Sequence, residues 1–338
     1  MTGVQTCALP IWASSPCPTR HCRRGEPALN GTPFNSDELA AQILAGGGPR
    51  GHGIHDFMPD QHRAFLARQP YVFVGAIDAD GSPLATLLGG QPGFVRAPDP
   101  ATLHIAALPD AGDPAQEALS PGRDVGVLGI DFSTRRRNRI NGRITGRDAG
   151  GISVAVTQSF GNCPQYIQRR TATSPGPPQQ AGLHPVETMG HLDGLAHAAI
   201  AAADTFFVAS RSRAGNGAMY GADISHRGGR PGFIRVDGDV LTIPDFPGNR
   251  YFNTLGNLLA EPRASLLFVD FASGSLLQLQ GTADVDWSGA AAQGFAGAER
   301  LWRFHVSGGW RRRTAMPLRW LPIPHIIYPV AIVGCRSL

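Results

Sequence analysis

The sequence predicts a mainly β chain with short helices, organised as two tandem copies of one small antiparallel barrel. Two observations carry this. First, the series Phe73-Val74, Pro92-Gly93-Phe94-Val95-Arg96, Leu103-His104-Ile105 and Asp131-Phe132 returns as Phe207-Val208, Pro231-Gly232-Phe233-Ile234-Arg235, Leu241-Thr242-Ile243 and Asp270-Phe271. The Pro-Gly-Phe and Asp-Phe blocks are both displaced by 139 positions, which marks a duplication. Second, short β-branched stretches recur at regular spacing, broken by Gly and Pro turns, and this pattern points to a small closed barrel rather than a parallel sheet. A chain of 338 residues has room for two domains, each burying its own core.

The elements follow in order. Ser36 to Leu44 reads as a helix with Ser36 as its N-cap, and Met58 to Arg68 as a second. Tyr71 to Ile77 alternates and is β-branched, residues 78–81 form a turn, and Leu84 to Leu88 returns as the second arm of a hairpin. Further strands are expected at 93–96, 103–107, 125–131, 139–145 and 152–157, with one short helix near Ala115 to Leu119. Residues 173–184 are rich in Pro, Gly, Gln and Ser and read as a linker, followed by a helix over Asp193 to Ala203. The second copy is expected to place strands at 205–210, 218–224, 232–236, 240–243, 264–271 and 275–285, with a helix over Tyr251 to Ala260. The expected division is therefore a leader at 1–30, a first barrel at 31–172, the linker, a second barrel at 185–315 and an irregular tail at 316–338. Residues 1–11, MTGVQTCALPI, resemble the translation of a sequencing-library adapter, so the leader is set aside. The abrupt change of composition in the tail reads as a frame shift or truncation.

Composition narrows the chemistry. Hydrophobic residues make up 42% and charged residues 17%, as in soluble globular proteins. All 30 basic side chains are arginine, which excludes a Schiff-base lysine, a phosphate-loop lysine and a lysine general base. Arginine still binds anions through its planar fork. The net charge of +4 is spread among aspartates, so no nucleic-acid partner is expected. None of the five cysteines has C-x-x-C spacing, which argues against zinc and disulfides and for a reducing cytoplasm. The apolar run after Leu321 is broken by Pro322, Pro324 and Pro329 and is shorter than a membrane helix, so no membrane association is expected.

Residues kept in both copies serve the fold, and polar residues present in one are candidates for a site. Where the first copy has Gly89-Gly90-Gln91, the second has Ser225-His226-Arg227-Gly228-Gly229-Arg230. Arg227 and Arg230 flanking two glycines offer cationic forks and an accessible main chain to a phosphate. Arg250, Asn253, Thr254 and Asn257 stand three and four apart near a helix N-terminus, where the dipole favours an anion. The same pattern also fits an Asx-capped helix beside a solvated turn. In the first copy, Asn162, Gln165 and Tyr166 follow a strand, either as a strand-ending turn or as the facing wall of a pocket. Cys163 reads as a small packed residue and the arginine run 135–139 as a solvated hairpin. His226 is the one histidine within a candidate site. No paired carboxylates or Ser/His/Asp set has catalytic spacing, so no catalytic residue is assigned.

The segments SHRGGRPGF at 225–233, GNRYFNTLGNLLAEPR at 248–263 and SFGNCPQYIQRR at 159–170 resemble the pyridoxamine 5'-phosphate oxidase-like FMN-binding split-barrel family, in its tandem two-barrel subgroup. The resemblance spans about residues 35 to 315. It implies two six-stranded antiparallel split barrels, paired within the chain or across a homodimer, with FMN held at the interface between barrels. By position, Arg227, Arg230, Arg250, Asn253 and Asn257 would hold the phosphate and ribityl chain, and Ser225, Pro231, Gly232 and Phe233 would lie along the flavin. The implied activity is an FMN-dependent oxidoreductase using a small-molecule substrate or electron donor. The alternatives are a flavin-binding module without turnover and the front half of a longer electron-transfer protein carrying a reductase domain.

Overall fold

The structure, a computed structural model, describes residues 31–173, 185–213, 219–316 and 318–322. The expected leader, nearly all of the linker and the tail after residue 322 lie outside the described residues. In the first copy the elements are α1 (Ser36–Leu44), β1 (Ile54–His55), α2 (Asp60–Ala67), β2 (Tyr71–Ile77), β3 (Pro83–Gly89), β4 (Val95–Asp99), β5 (Thr102–Ile105), β6 (Asp124–Asp131), β7 (Arg136–Asp148), β8 (Gly151–Gly161) and β9 (Arg170–Thr173). The second copy contains β10 (Glu187–Met189), α3 (Gly194–Ala202), β11 (Thr205–Arg211), β12 (Ala222–Gly228), β13 (Arg235–Asp237), β14 (Val240–Asp245), α4 (Asn253–Ala260), β15 (Arg263–Val269), β16 (Leu276–Asp286), β17 (Arg300–Arg312) and β18 (Arg319–Pro322).

The two copies have the same sheet. One runs β3-β2-β6-β7-β8-β5-β4 with β1 on β8, the other β12-β11-β15-β16-β17-β14-β13 with β10 on β17, and all pairs are antiparallel. The fold is a tandem of two split barrels. Each sheet has eight strands rather than the six expected, because the short β1 and β10 pair with β8 and β17 and the strand path itself counts seven. Neither path closes by hydrogen bonds, since β3 and β4, and likewise β12 and β13, stay unpaired to each other.

What covers the open edge is the other copy. The Ala85 N–H of β3 donates to Ser265 Oγ at 3.2 Å, and Gln278 Nε2 donates to the Ala85 carbonyl at 2.9 Å. Gln280 Nε2 donates to the Pro83 carbonyl at 3.2 Å. Reciprocally, β12 lies against β2 and β6 so closely that a Cβ on Gly75 would stand 2.7 Å from the Asp223 carbonyl oxygen. Residue alternation distributes the side chains. On β2, Val72, Val74 and Ala76 enter the first barrel's core, and Tyr71 and Phe73 enter a third core shared with the second copy. On β11, Phe206 and Val208 fill the second barrel while Phe207 and Ala209 face the shared core. This explains why YVFVGAI and TFFVAS read as continuous apolar runs: both faces are buried. Phe73 and Phe207 stack at the centre with ring centroids 3.5 Å apart.

Several elements differ from expectation. The N-cap of α1 is Asn35, not Ser36: its side chain accepts from the Asp37 and Glu38 N–H groups and Glu38 returns a bond to the Asn35 N–H, a complete capping box. Residues 115–119 form turns rather than a helix, because Asp113 captures the Ala115 N–H at 2.9 Å. The 13-residue β17 was hidden by its arginines, although Trp302 and Phe304 alternate inward with Arg303 and His305 outward. Residues 319–322, expected in an irregular tail, form β18 on β9, and Trp320 packs with Tyr71, Phe132 and Phe271. Among the described residues, no helix is long and apolar enough to cross a membrane, and no group of His, Cys, Asp and Glu could hold a metal.

Because both barrels share one core, Phe207→Ala is expected to cost about 3–5 kcal/mol and to destabilise both copies together. Urea unfolding followed by far-UV circular dichroism and tryptophan fluorescence checks this. An unchanged midpoint, or separate transitions for the two signals, would contradict it.

Candidate functional site

The interface that buries the sheet edges also brings β7 of the first copy beside β12 of the second. Arg137 and Arg139, alternate residues of β7, both reach side chains of β12. Arg139 Nη1 donates to both Asp223 carboxylate oxygens, at 3.0 and 2.8 Å, and to Asn253 Oδ1 at 3.3 Å; its Nη2 donates to Ser225 Oγ at 2.5 Å. The guanidinium lies over Phe160 at 5.1 Å. Burial depresses its pKa, and Asp223 opposes that shift. Thr254 Oγ1 donates to Ser225 Oγ at 2.8 Å, and Asn253 Nδ2 donates to Glu38 of α1. One network therefore joins both copies and two helices.

Beside this network, and partly lined by it, lies a cleft. Arg137 Nη1 donates to His226 Nδ1 at 2.9 Å and Nη2 to the Cys163 carbonyl at 2.6 Å. A guanidinium only donates, so His226 Nδ1 accepts and the neutral ring carries its proton on Nε2. Burial, then Arg137, Arg170 and Arg227, hold the imidazole well below its ordinary pKa. Burial and the neighbouring Arg139 lower Arg137 to about 9. Asp245 is gripped by Arg227 on one oxygen and by Arg300, at 2.7 Å, on the other. The segment before α4 turns sharply, with Arg250 at φ 58° and Phe252 at φ 59°. Phe252 occupies the N-cap of α4 and makes no side-chain cap bond. Tyr166, at φ 64°, stacks on Phe246 at 5.1 Å and donates to the Pro247 carbonyl at 3.0 Å. Its carbonyl approaches β12 so closely that a Cβ on Gly228 would lie 2.1 Å away, which explains the glycine. Three left-handed non-glycine residues thus line one cleft, a form of strain that gathers at functional sites.

The cleft holds a cavity of about 120 Å³ and opens to solvent at its mouth. Five arginines line it, Arg137, Arg139, Arg227, Arg250 and Arg300, against the carboxylates of Asp245 and Glu299. Its lining also contributes five buried polar atoms without a partner: the Nε of Arg137, Arg139 and Arg227, His226 Nε2 and Asn162 Oδ1. Four of these are donors.

Of the residues expected at a site, Asn162, Gln165 and Tyr166 from the first copy and Ser225, His226, Arg227, Phe233, Arg250, Asn253 and Thr254 from the second line the cleft. Arg230, Pro231 and Gly232 do not; they stand on an exposed turn. Asn257 points away from the cleft and donates to Ser210 Oγ at 3.0 Å. Arg250 lines the cleft, but its Nε donates to the Gly47 carbonyl at 3.1 Å and its Nη2 to that of Ala45, so the guanidinium closes the C-terminal end of α1. Cys163 is free and half-buried at the rim. The arginine run is not a solvated hairpin: Arg139 is 5% exposed and Arg137 is held by His226 and Cys163. Its alternation along β7 was the readable signal. Asp245 and Arg300 carry none, because the ends of β14 and β17 that pair them are 55 residues apart.

The duplication supplies a control. At the 139-position offset, Gln278 stands for Arg139, Thr86 for Ser225, Leu87 and Leu88 for His226 and Arg227, and Asp113 for Phe252. There Arg312 Nη1 donates to Asp113 at 2.6 Å, both side chains being buried, and Asp113 also accepts from Thr86 and, at 3.3 Å, from Gln278. The counterpart of the cleft is filled by this ion pair.

No family model matches the chain and no curated protein matches it. Among solved structures nine chains match. One is a Clostridium acetobutylicum protein related to general stress protein 26, of the pyridoxinephosphate oxidase family, with 14% identity over 38% of this chain and 92% of that one, at a TM-score of 0.27. A FAD-binding protein from Mesorhizobium loti shows 14% identity over 37% of this chain and 97% of that one, at a TM-score of 0.24. The heme storage protein HutZ from Vibrio cholerae shows 12% identity over 32% of this chain and 86% of that one, at a TM-score of 0.22. Likenesses this weak carry no argument about the fold or the ligand.

Glu38, buried beneath Asn253, has its carboxyl pushed up to about 8, first by burial, against the hydrogen bonds from Asn253 and Asn35 that lower it. The folded chain therefore holds this proton more tightly than the unfolded chain does. Its contribution to stability is fully present below the ordinary value of 4.5 and is lost as pH rises through about 8. Glu38→Gln should flatten the fall in unfolding free energy across that window, measured by denaturant titration at several pH values. A slope equal to that of the unchanged protein would contradict the assignment.

Proposed function

We propose that the cleft binds FMN through its phosphate and that the chain is an FMN-dependent oxidoreductase acting on a small molecule. The observation that carries the reading is the set of four buried donors without partners in a cleft dominated by arginine. Buried polar groups are ordinarily satisfied, and an anion with several acceptor oxygens satisfies such a set. The uncapped start of α4 adds the positive end of a helix dipole. Arg137 and Arg227, with the α4 N-terminus, would hold the phosphate, and Arg139, fixed by Asp223, sets the positive potential behind them. His226 offers an Nε2–H that stays a donor at neutral pH. Phe233, Phe246 and Tyr166 supply apolar surface that excludes water from a flat ring. Flavin, when bound, supplies the electron-transfer chemistry, and the protein supplies binding and electrostatics. The resemblance of the 225–233, 248–263 and 159–170 segments to FMN-binding split barrels agrees with this assignment.

Titration of the protein with FMN, followed by quenching of flavin fluorescence, tests the reading. Arg137→Ala and Arg227→Ala should each weaken FMN by at least tenfold, about 1.4 kcal/mol or more, with Arg136→Ala close to the unchanged protein. Equal effects of all three, or no FMN binding, would overturn the site. Bound FMN that NAD(P)H does not reduce and oxygen does not reoxidise would leave a flavin-binding module without turnover.

A further inference from the structure

A second cavity, of about 520 Å³, shares no lining residue with the cleft. It lies between α3 and the sheet of the second copy. One wall is apolar, formed by Leu195, Ala199 and Ala202 of α3 with Phe268 and Leu277 of the sheet. Leu195 is 60% exposed, although it is large and apolar. A cavity of this volume is in the range that takes a small molecule.

Its polar side is built around Arg170. That side chain is 9% exposed, lies flat on the Phe271 ring with the guanidinium carbon 3.7 Å from the centroid, and donates through Nη2 to Asp204. Its Nη1 is buried and has no partner. Arg311 and Arg313 stand on the same cavity, tied to Glu187 and, for Arg311, also to Asp193. The lining thus holds three arginines against Asp204 and Asp270. A buried guanidinium N–H without an acceptor is disfavoured, and a carboxylate is the acceptor whose geometry suits the fork.

We propose that this cavity is a binding site for an apolar monocarboxylate, with the chain or ring of the ligand along Leu195, Ala199 and Ala202 and its carboxylate on Arg170. The proposal does not rest on the flavin reading, since no lining residue is shared.

The probe is anilinonaphthalene sulfonate, followed by fluorescence on the full chain, with decanoate and decanol as competitors. One saturable probe site is expected, with decanoate displacing the probe at concentrations at least tenfold lower than decanol. Ala199→Trp, at an exposed helix position, should abolish that site while leaving FMN titration unchanged. Arg170→Gln should remove the preference for decanoate over decanol. No saturable probe binding, equal displacement by decanol in the unchanged protein, or an intact site in Ala199→Trp would each overturn the proposal, the last even if Arg170→Gln fails to fold.

Discussion

Each split sheet ends in a strand, β3 or β12, whose outer edge is unpaired, and the other copy covers it. This reciprocal burial fixes how the two copies sit together. An exposed strand edge presents unpaired backbone donors and acceptors, and proteins cover or blunt such edges. Here Ser265, Gln278 and Gln280 bond the β3 edge, while β12 lies against Gly75 and Gly126 with no room for a Cβ between. The Phe73–Phe207 stack fills the centre of the shared core, and Trp320 of β18 closes one side of it. Strands buried on both faces follow from that arrangement.

The same contact makes the site. Bringing β7 across β12 places first-copy arginines beside second-copy acceptors, and the cleft forms where Arg137 and Arg227 are left with spare donors. The pseudo-equivalent position holds Thr86 and Gln278 around the Arg312–Asp113 pair. A buried pair of this kind satisfies its own charges and leaves nothing to recruit an anion. The two equivalent places thus differ: one is an open, arginine-lined cleft and the other holds a buried ion pair. Neither copy could form the cleft alone, since Arg137, Arg139 and Tyr166 come from one and Ser225, His226 and Asn253 from the other.

Much of this was legible in the residues. The two runs YVFVGAI and TFFVAS mark strands because short apolar runs bounded by turns suffice, and the span of α1 was legible although its cap is Asn35 rather than Ser36. Local signals failed where distant contacts decide. Arg137 and Arg139 look like any charged hairpin until β12 is placed beside them. β17 was missed because its arginines are satisfied by Asp284, Glu187 and Asp193, which lie far away in sequence. Asn257 and Arg250 share a helical spacing with Asn253, yet their partners, Ser210 and the end of α1, lie in different directions. The comparison between copies separated site from fold better than any single motif, because Arg227 against Leu88 is a difference that packing alone does not require.

If the interface between the two copies makes one anion-binding cleft and fills its counterpart, each chain has a single place for a flavin phosphate. Calorimetric titration of the purified chain with FMN measures this directly. One FMN bound per chain is expected. Two equivalent FMN sites per chain, or none, would contradict it.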